Sequence, residues 1–288
     1  MLAAAGAALL APAWPRRAAH ATTGPTSSGQ RWLLTSDGVR LNVLSSTPPA
    51  PAPDAPTLVF VPGWGMPASL WSAQLAHFGA RWRTLALDPR GQGESDAPDS
   101  GYTIERRTDD LRELLAGERD VVLVGWSLAV LEALHYVHRF GDAALRALVL
   151  VDNSIGEGTP PKPTDFLQRL RADRAATVER FARGLFTTPQ DDSRLAEIRR
   201  SLLKPRLEQS IALLSYPLPR EHWRATARGF GKPLAYLVTP RWAEQARLLA
   251  QQRPATRIEV FDGAGHALFV DQAGRFNATL GEFVESLG

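Results

Sequence analysis

The hydrophobic positions of this chain come mostly in short, continuous blocks separated by longer periodic stretches. Residues Thr57 to Val61 (TLVFV) form one such block, ending at Pro62-Gly63. A block of that length with no polar alternation fits a strand buried on both faces of a parallel sheet. Similar blocks predict strands over 83–87, 120–125, 147–151, 234–238 and 257–261. Between them lie stretches with helical spacing, over 103–117, 128–140 (closed by Gly141), 243–252 and 275–287. Repeated strand–helix alternation implies an α/β class, with a doubly wound, mostly parallel sheet covered by helices on both faces.

Two regions depart from this rhythm. Arg31 to Thr47 alternates and is split by Asp37-Gly38, a hairpin signal, and a Pro/Ala loop over 48–56 follows. Between Ser154 and Lys232 no strand-like block occurs, only helical stretches rich in Arg, Leu and Ala. We read this as an inserted helical lid. The expected organisation is therefore a signal segment and flexible leader over 1–30, a core formed by 31–154 and 232–288, and a lid over 155–231.

Composition narrows the picture. A chain of 288 residues with 44% hydrophobic and 22% charged residues can bury one large core. The net charge is +3, with Arg interspersed among Asp and Glu, so no basic stripe argues for nucleic acid. With no cysteine there is no disulfide, thiolate metal site or Cys nucleophile. Residues 2–13 contain only Ala, Leu, Gly and Pro, and Ala19-His20-Ala21 follows as a small-x-small site. This reads as a secretory signal and predicts export to the periplasm or medium, with a cytoplasmic protein as the alternative. The run is too short and proline-broken to span a bilayer stably.

Candidate chemistry gathers where the strands end. Gly125-Trp126-Ser127-Leu128-Ala129 follows a strand and opens a helix. A serine at such a turn presents its hydroxyl at the carboxyl edge of the sheet, whereas a serine before a helix is otherwise an ordinary cap. Gly263-Ala264-Gly265-His266 follows the last strand, so His266 can reach that edge as general base. His135 and His138 sit within the helix after Ser127 and read as packing or surface residues. For the acid that orients His266, Asp152 ends a strand and is placed first, with Glu244 as the alternative. The backbone N–H groups of Trp64 and Leu128 are candidates for an oxyanion hole. Trp126, together with Trp64, is expected in the substrate pocket wall. Asp88 to Ser95 lacks a full phosphate-loop fingerprint.

Together, Pro62-Gly63-Trp64-Gly65, Asp88 to Ser95, Gly125 to Ala129, Leu150-Val151-Asp152 and Gly263 to His266 resemble the α/β-hydrolase superfamily. The resemblance lies in its esterase, haloperoxidase and dehalogenase-like branch and covers nearly all the chain after Arg31. It departs at Pro62, where many relatives have His, and at Ala129, which replaces the last Gly of G-x-S-x-G. The resemblance implies a serine hydrolase with the order nucleophile, acid, His. The expected activity is cleavage of a small carboxylic ester, with a lactonase or a non-catalytic ligand-binding protein as alternatives. No metal or organic cofactor is implied. The expected partner is a small ester or lactone, and the oligomeric state stays open.

Overall fold

The computed structural model describes residues 27–52 and 54–288, so the expected signal segment lies outside the described residues. Eight strands form one sheet: β1 (Ser27–Leu34), β2 (Arg40–Thr47), β3 (Thr57–Val61), β4 (Thr84–Leu87), β5 (Val121–Trp126), β6 (Leu145–Val151), β7 (Leu234–Val238) and β8 (Arg257–Val260). Their spatial order is β1-β2-β4-β3-β5-β6-β7-β8. β1 and β2 are antiparallel, as are β2 and β4, and all other pairings are parallel.

The helices in chain order are α1 (Ser72–Phe78), α2 (Ile104–Leu115), α3 (Leu128–Phe140), α4 (Phe166–Ala172), α5 (Arg174–Arg183), α6 (Asp192–Leu203), α7 (Leu207–Leu213), α8 (Arg220–Gly229), α9 (Ala243–Gln252), α10 (Leu268–Asp271) and α11 (Ala273–Glu285). Five of them, α4 to α8, intervene between β6 and β7. None of the described helices is long and apolar enough to cross a membrane.

The continuous apolar blocks have a direct structural reading. Alternate residues of one strand feed opposite cores. Leu58 and Phe60 of β3, with Val122 and Val124 of β5, join a cluster with Phe78 of α1 and Phe276 of α11. Val59 and Val61, with Val121 and Leu123, join a second cluster with Leu111 of α2, Leu134 of α3 and Leu249 of α9. Both faces are thus covered, and a polar residue at either register would be buried.

The hairpin turns at Asp37-Gly38, where Gly38 takes φ +81°, and pairs Leu34 with Arg40. One expectation needs correction. Ser27 to Gln30 do not belong to a flexible leader but extend β1, paired through Ser27 with Thr47. Ladder hydrogen bonds are made by the backbone, so a polar edge strand carries no apolar signature.

The parallel register brings the strand ends level. Gly125 stands beside Val61, Trp126 beside Val151, and Val151 beside Leu237. The residues that leave β3, β5, β6 and β7 therefore emerge together at one edge.

Candidate active site

Ser127 follows β5 directly and precedes α3, at φ 56° and ψ −120°. Such a conformation costs a non-glycine residue roughly 1–3 kcal/mol and persists only when its surroundings dictate it. Here they do. The Ser127 N–H donates to the Val151 carbonyl at 2.9 Å, and its carbonyl accepts from Val130 N–H at 2.9 Å and Asn153 Nδ2 at 2.8 Å. Two glycines leave the necessary room. A Cβ on Gly125 would lie 2.6 Å from the Ala129 carbonyl oxygen, and one on Gly63 would lie 2.7 Å from the Ser127 Cβ. Ala129 itself is buried without exposure in the close approach of α3 to β5.

His266 stands over this turn on the loop after β8. Its Nε2 is 2.8 Å from Ser127 Oγ and its Nδ1 is 2.7 Å from Asp152 Oδ2. Asp152 follows β6 at φ 47° and is 1% exposed. Its second oxygen, Oδ1, accepts from both the N–H and the hydroxyl of Thr239, each at 2.7 Å. Thr239 is the first residue after β7. Both carboxylate oxygens are thus engaged, which fixes the plane of the carboxylate and the edge it offers to His266.

Glu244, the alternative acid, lies elsewhere. It is exposed on α9 and paired with Arg247 at 2.6 Å, whose guanidinium holds its carboxyl below the usual range. Trp126 is also not where it was expected. Rather than lining the pocket, its ring is fully buried and packs edge-on against Phe269 at 5.0 Å. Its indole N–H donates to the His266 carbonyl at 2.8 Å, so Trp126 supports the histidine loop from below.

Trp64 and Leu128 flank Ser127 and line the same cavity. Among the described residues neither of their backbone N–H groups donates to a backbone carbonyl outside the helices and strands. The Trp64 ring is held by the inserted helices. Its Nε1 donates to the Ser210 carbonyl at 2.8 Å, and its faces meet Phe166 and Phe181 edge-on.

The sequence reading missed several supports. Besides Thr239, Gln92 donates through Nε2 to the carbonyls of Gly63 (3.0 Å) and Met66 (2.9 Å), which sets the turn bearing Trp64. Buried Asp88 accepts from Asn42 Nδ2 and from the N–H of Ala68 and Glu94, so the glycine-spaced loop after β4 is scaffolding. Asp271 ties the Gly265 N–H to Thr187 and Thr188 of the insertion. No cluster of three or more His, Asp or Glu among the described residues is arranged to hold a metal ion.

A cavity of about 350 Å³ opens beside Ser127, walled on one side by α3 and the sheet edge and on the other by α4, α5, α7 and α8. Chemically, the site offers a hydroxyl, an imidazole in contact with it and a buried carboxylate behind the imidazole.

Comparison with known proteins agrees with this architecture. Residues 58–279 match the model of the alpha/beta hydrolase family. A pimeloyl-[acyl-carrier protein] methyl ester esterase of Aromatoleum aromaticum is 29% identical over 252 residues, which cover 75% of this chain and 92% of the relative. The structure of esterase RhEst1 from a Rhodococcus species superposes with a TM-score of 0.74 at 23% identity, covering 90% of this chain and 99% of that one. An enol-lactonase from Burkholderia xenovorans superposes with a TM-score of 0.69 at 21% identity, covering 88% and 100%. At those identities the two structures speak for the fold alone.

Proposed function

The chain belongs to the alpha/beta hydrolase family, and on that footing we propose that it cleaves a small carboxylic ester through an acyl-enzyme on Ser127. The observation that carries this reading is the unbroken contact Ser127 Oγ–His266 Nε2–His266 Nδ1–Asp152 Oδ2, at 2.8 and 2.7 Å. The esterase name of the Aromatoleum relative supports the reaction class.

Each residue then has a defined task. His266 Nε2 takes the Ser127 proton as Oγ attacks the ester carbonyl. The carbonyl oxygen becomes an oxyanion, stabilised by the N–H groups of Trp64 and Leu128. As the C–O bond to the alcohol breaks, His266 returns the proton to the leaving alkoxide. Water then attacks the acyl group on Ser127 by the same route and releases the acid. Asp152 keeps the Nδ1 proton directed away from Ser127, so that Nε2 stays free to accept. The helices α4 to α8 serve as a lid that roofs the acyl pocket.

The test is steady-state hydrolysis of p-nitrophenyl acetate by wild type and Ser127→Ala. The reading expects a loss on the order of 10⁴–10⁶-fold with an unchanged circular dichroism spectrum. A variant within tenfold of wild type rejects it.

A further inference from the structure

We propose that the acyl pocket takes a compact, uncharged, apolar acyl group and rejects one with a terminal carboxylate. Phe166 and Phe181 enforce this choice by walling the pocket off from Arg169 and Arg180. The inference rests on the assignment of Ser127 as the nucleophile.

The cavity, at about 350 Å³, lies near the small end for ligand pockets. Its walls are largely aliphatic and aromatic, supplied by Leu131, Phe166, Phe181, Leu213, Leu214 and Trp223. Among the described residues no Asp, Glu, Lys or Arg lines it. Beyond Ser127 and His266, the polar side chains in its wall are Asn153, Thr164 and Tyr216.

Two of these three are already committed. Asn153 donates through Nδ2 to the Ser127 carbonyl and accepts through Oδ1 from the Ser154 N–H, both at 2.8 Å. The Tyr216 hydroxyl donates to Glu132 Oε1 at 2.9 Å. Glu132 is in turn held by the Arg107 fork at 2.8 and 3.1 Å, so its charge is neutralised within the protein. Burial, with Glu132 alongside, pushes the Tyr216 phenol well above its ordinary range, and it stays protonated. What remains is the Thr164 hydroxyl, the second N–H of Asn153 Nδ2 and the indole N–H of Trp223, for which no acceptor is found among the described residues. A few neutral donors, with no cation among them, do not replace the hydration of an ionised carboxylate.

Cationic side chains do lie close, but behind the rings. Phe166 and Phe181, with centroids 5.4 Å apart, also border a second cavity of about 370 Å³, whose lining is completed by Arg169, Thr177 and Arg180. Arg169 is paired with Asp165. Arg180 has no carboxylate partner among the described residues, and its Nη2 donates to Thr177 Oγ1 at 3.3 Å. The two rings are braced by Trp64, at 5.7 Å from Phe166 and 5.3 Å from Phe181, both near perpendicular. A ligand carboxylate in the first cavity is thus cut off from the cations that would receive it. Removing either ring joins the two spaces.

The experiment compares kcat/KM for p-nitrophenyl hexanoate and the mono-p-nitrophenyl ester of adipic acid at pH 7.5, using the full chain. Both esters carry six-carbon acyl groups and differ in the terminal charge. The expected wild-type ratio is at least about 100 in favour of hexanoate, because a buried unpaired carboxylate is strongly disfavoured. Within the neutral series from acetate to hexanoate, kcat/KM should rise by up to roughly fourfold per methylene until the pocket is full. Phe181→Ala and Phe166→Ala should each lower the hexanoate-to-adipate ratio at least tenfold. The ratio is its own control, since both esters react at the same serine. Equal use of the two esters by wild type overturns the inference. So does an unchanged ratio in both variants when their melting curves show them folded. Fluorophosphonate labelling of Ser127 without hexanoate turnover overturns this inference alone. Absence of labelling removes the nucleophile as well.

Discussion

Replacing Asp152 by Asn probes the link between the acid and the histidine, and its effect can be worked out from the hydrogen bonds. The change keeps the shape of a side chain that is almost completely buried. In the wild type, Oδ1 accepts from the Thr239 N–H and hydroxyl, and Oδ2 faces His266 Nδ1. The Thr239 N–H can only donate, so it captures the amide oxygen of the asparagine. The amide NH₂ is then turned toward His266 Nδ1 and can only donate to it. The imidazole must carry its proton on Nε2, the nitrogen 2.8 Å from Ser127 Oγ. In that tautomer it cannot accept the serine proton. The expected fall in kcat/KM is about 10²–10⁴-fold, or about 2.7–5.5 kcal/mol in the barrier. The assay is hydrolysis of a neutral p-nitrophenyl ester, with the rate of fluorophosphonate labelling as a second readout. Glu244→Gln is the control, since Glu244 sits in an exposed pair with Arg247. An Asp152→Asn enzyme within threefold of wild type refutes the tautomer reasoning. A large loss in Glu244→Gln would move the acid to that residue.

Three further outcomes are expected. Thr239→Val removes one of the two donors to Asp152 Oδ1 and should cost roughly tenfold in kcat/KM, measured with the same ester. Gly63→Ala places a Cβ 2.7 Å from the Ser127 Cβ, and a displacement approaching 1 Å should lower kcat by up to about 10²-fold, with calorimetry checking that the variant still unfolds cooperatively. The third concerns acid stability. Burial, followed by the proximity of His222, holds His135 down at about 4, against about 6.5 when unfolded. The folded protein then binds fewer protons, so stability is complete above about pH 6.5 and falls as the pH drops toward 4. The full shift bounds the loss at about 3 kcal/mol, and solvent access near exposed His138 reduces it to about 1–2 kcal/mol. Urea midpoints at pH 7.5 and pH 5 test this. His135→Asn should shrink the difference between them, and an equal acid loss in the variant contradicts the assignment.

The sheet was legible because parallel strands buried on both faces have few ways to be written other than as unbroken apolar blocks. Ser127, Asp152 and His266 stood out for the same reason, since each follows the end of such a block, and the structure brings all three together. What escaped the sequence depends on register or on long-range contact. Thr239 meets Asp152 because Val151 and Leu237 are neighbours across β6 and β7, a pairing that no local pattern encodes. Asp152 leaves β6 directly at the sheet edge, whereas Glu244 lies on α9 beyond the end of β7, exposed and paired with Arg247. Trp126 reads as a pocket residue beside Ser127, yet strand alternation sends its side chain below the turn into the Phe269 cluster. His135 and His222 are 87 residues apart, and their 3.0 Å contact exists only because α8 of the insertion packs on α3. The short helices α1 and α10 were missed because seven and four residues give too few turns for helical periodicity to register.

The central claim is that Ser127 is an activated nucleophile, and the most direct test is the intact mass of the protein after exposure to a fluorophosphonate, followed by peptide mapping. The account predicts one adduct per chain, located on Ser127 and absent from Ser127→Ala. A folded wild-type protein that stays unmodified, or an adduct that maps to another residue, would contradict it.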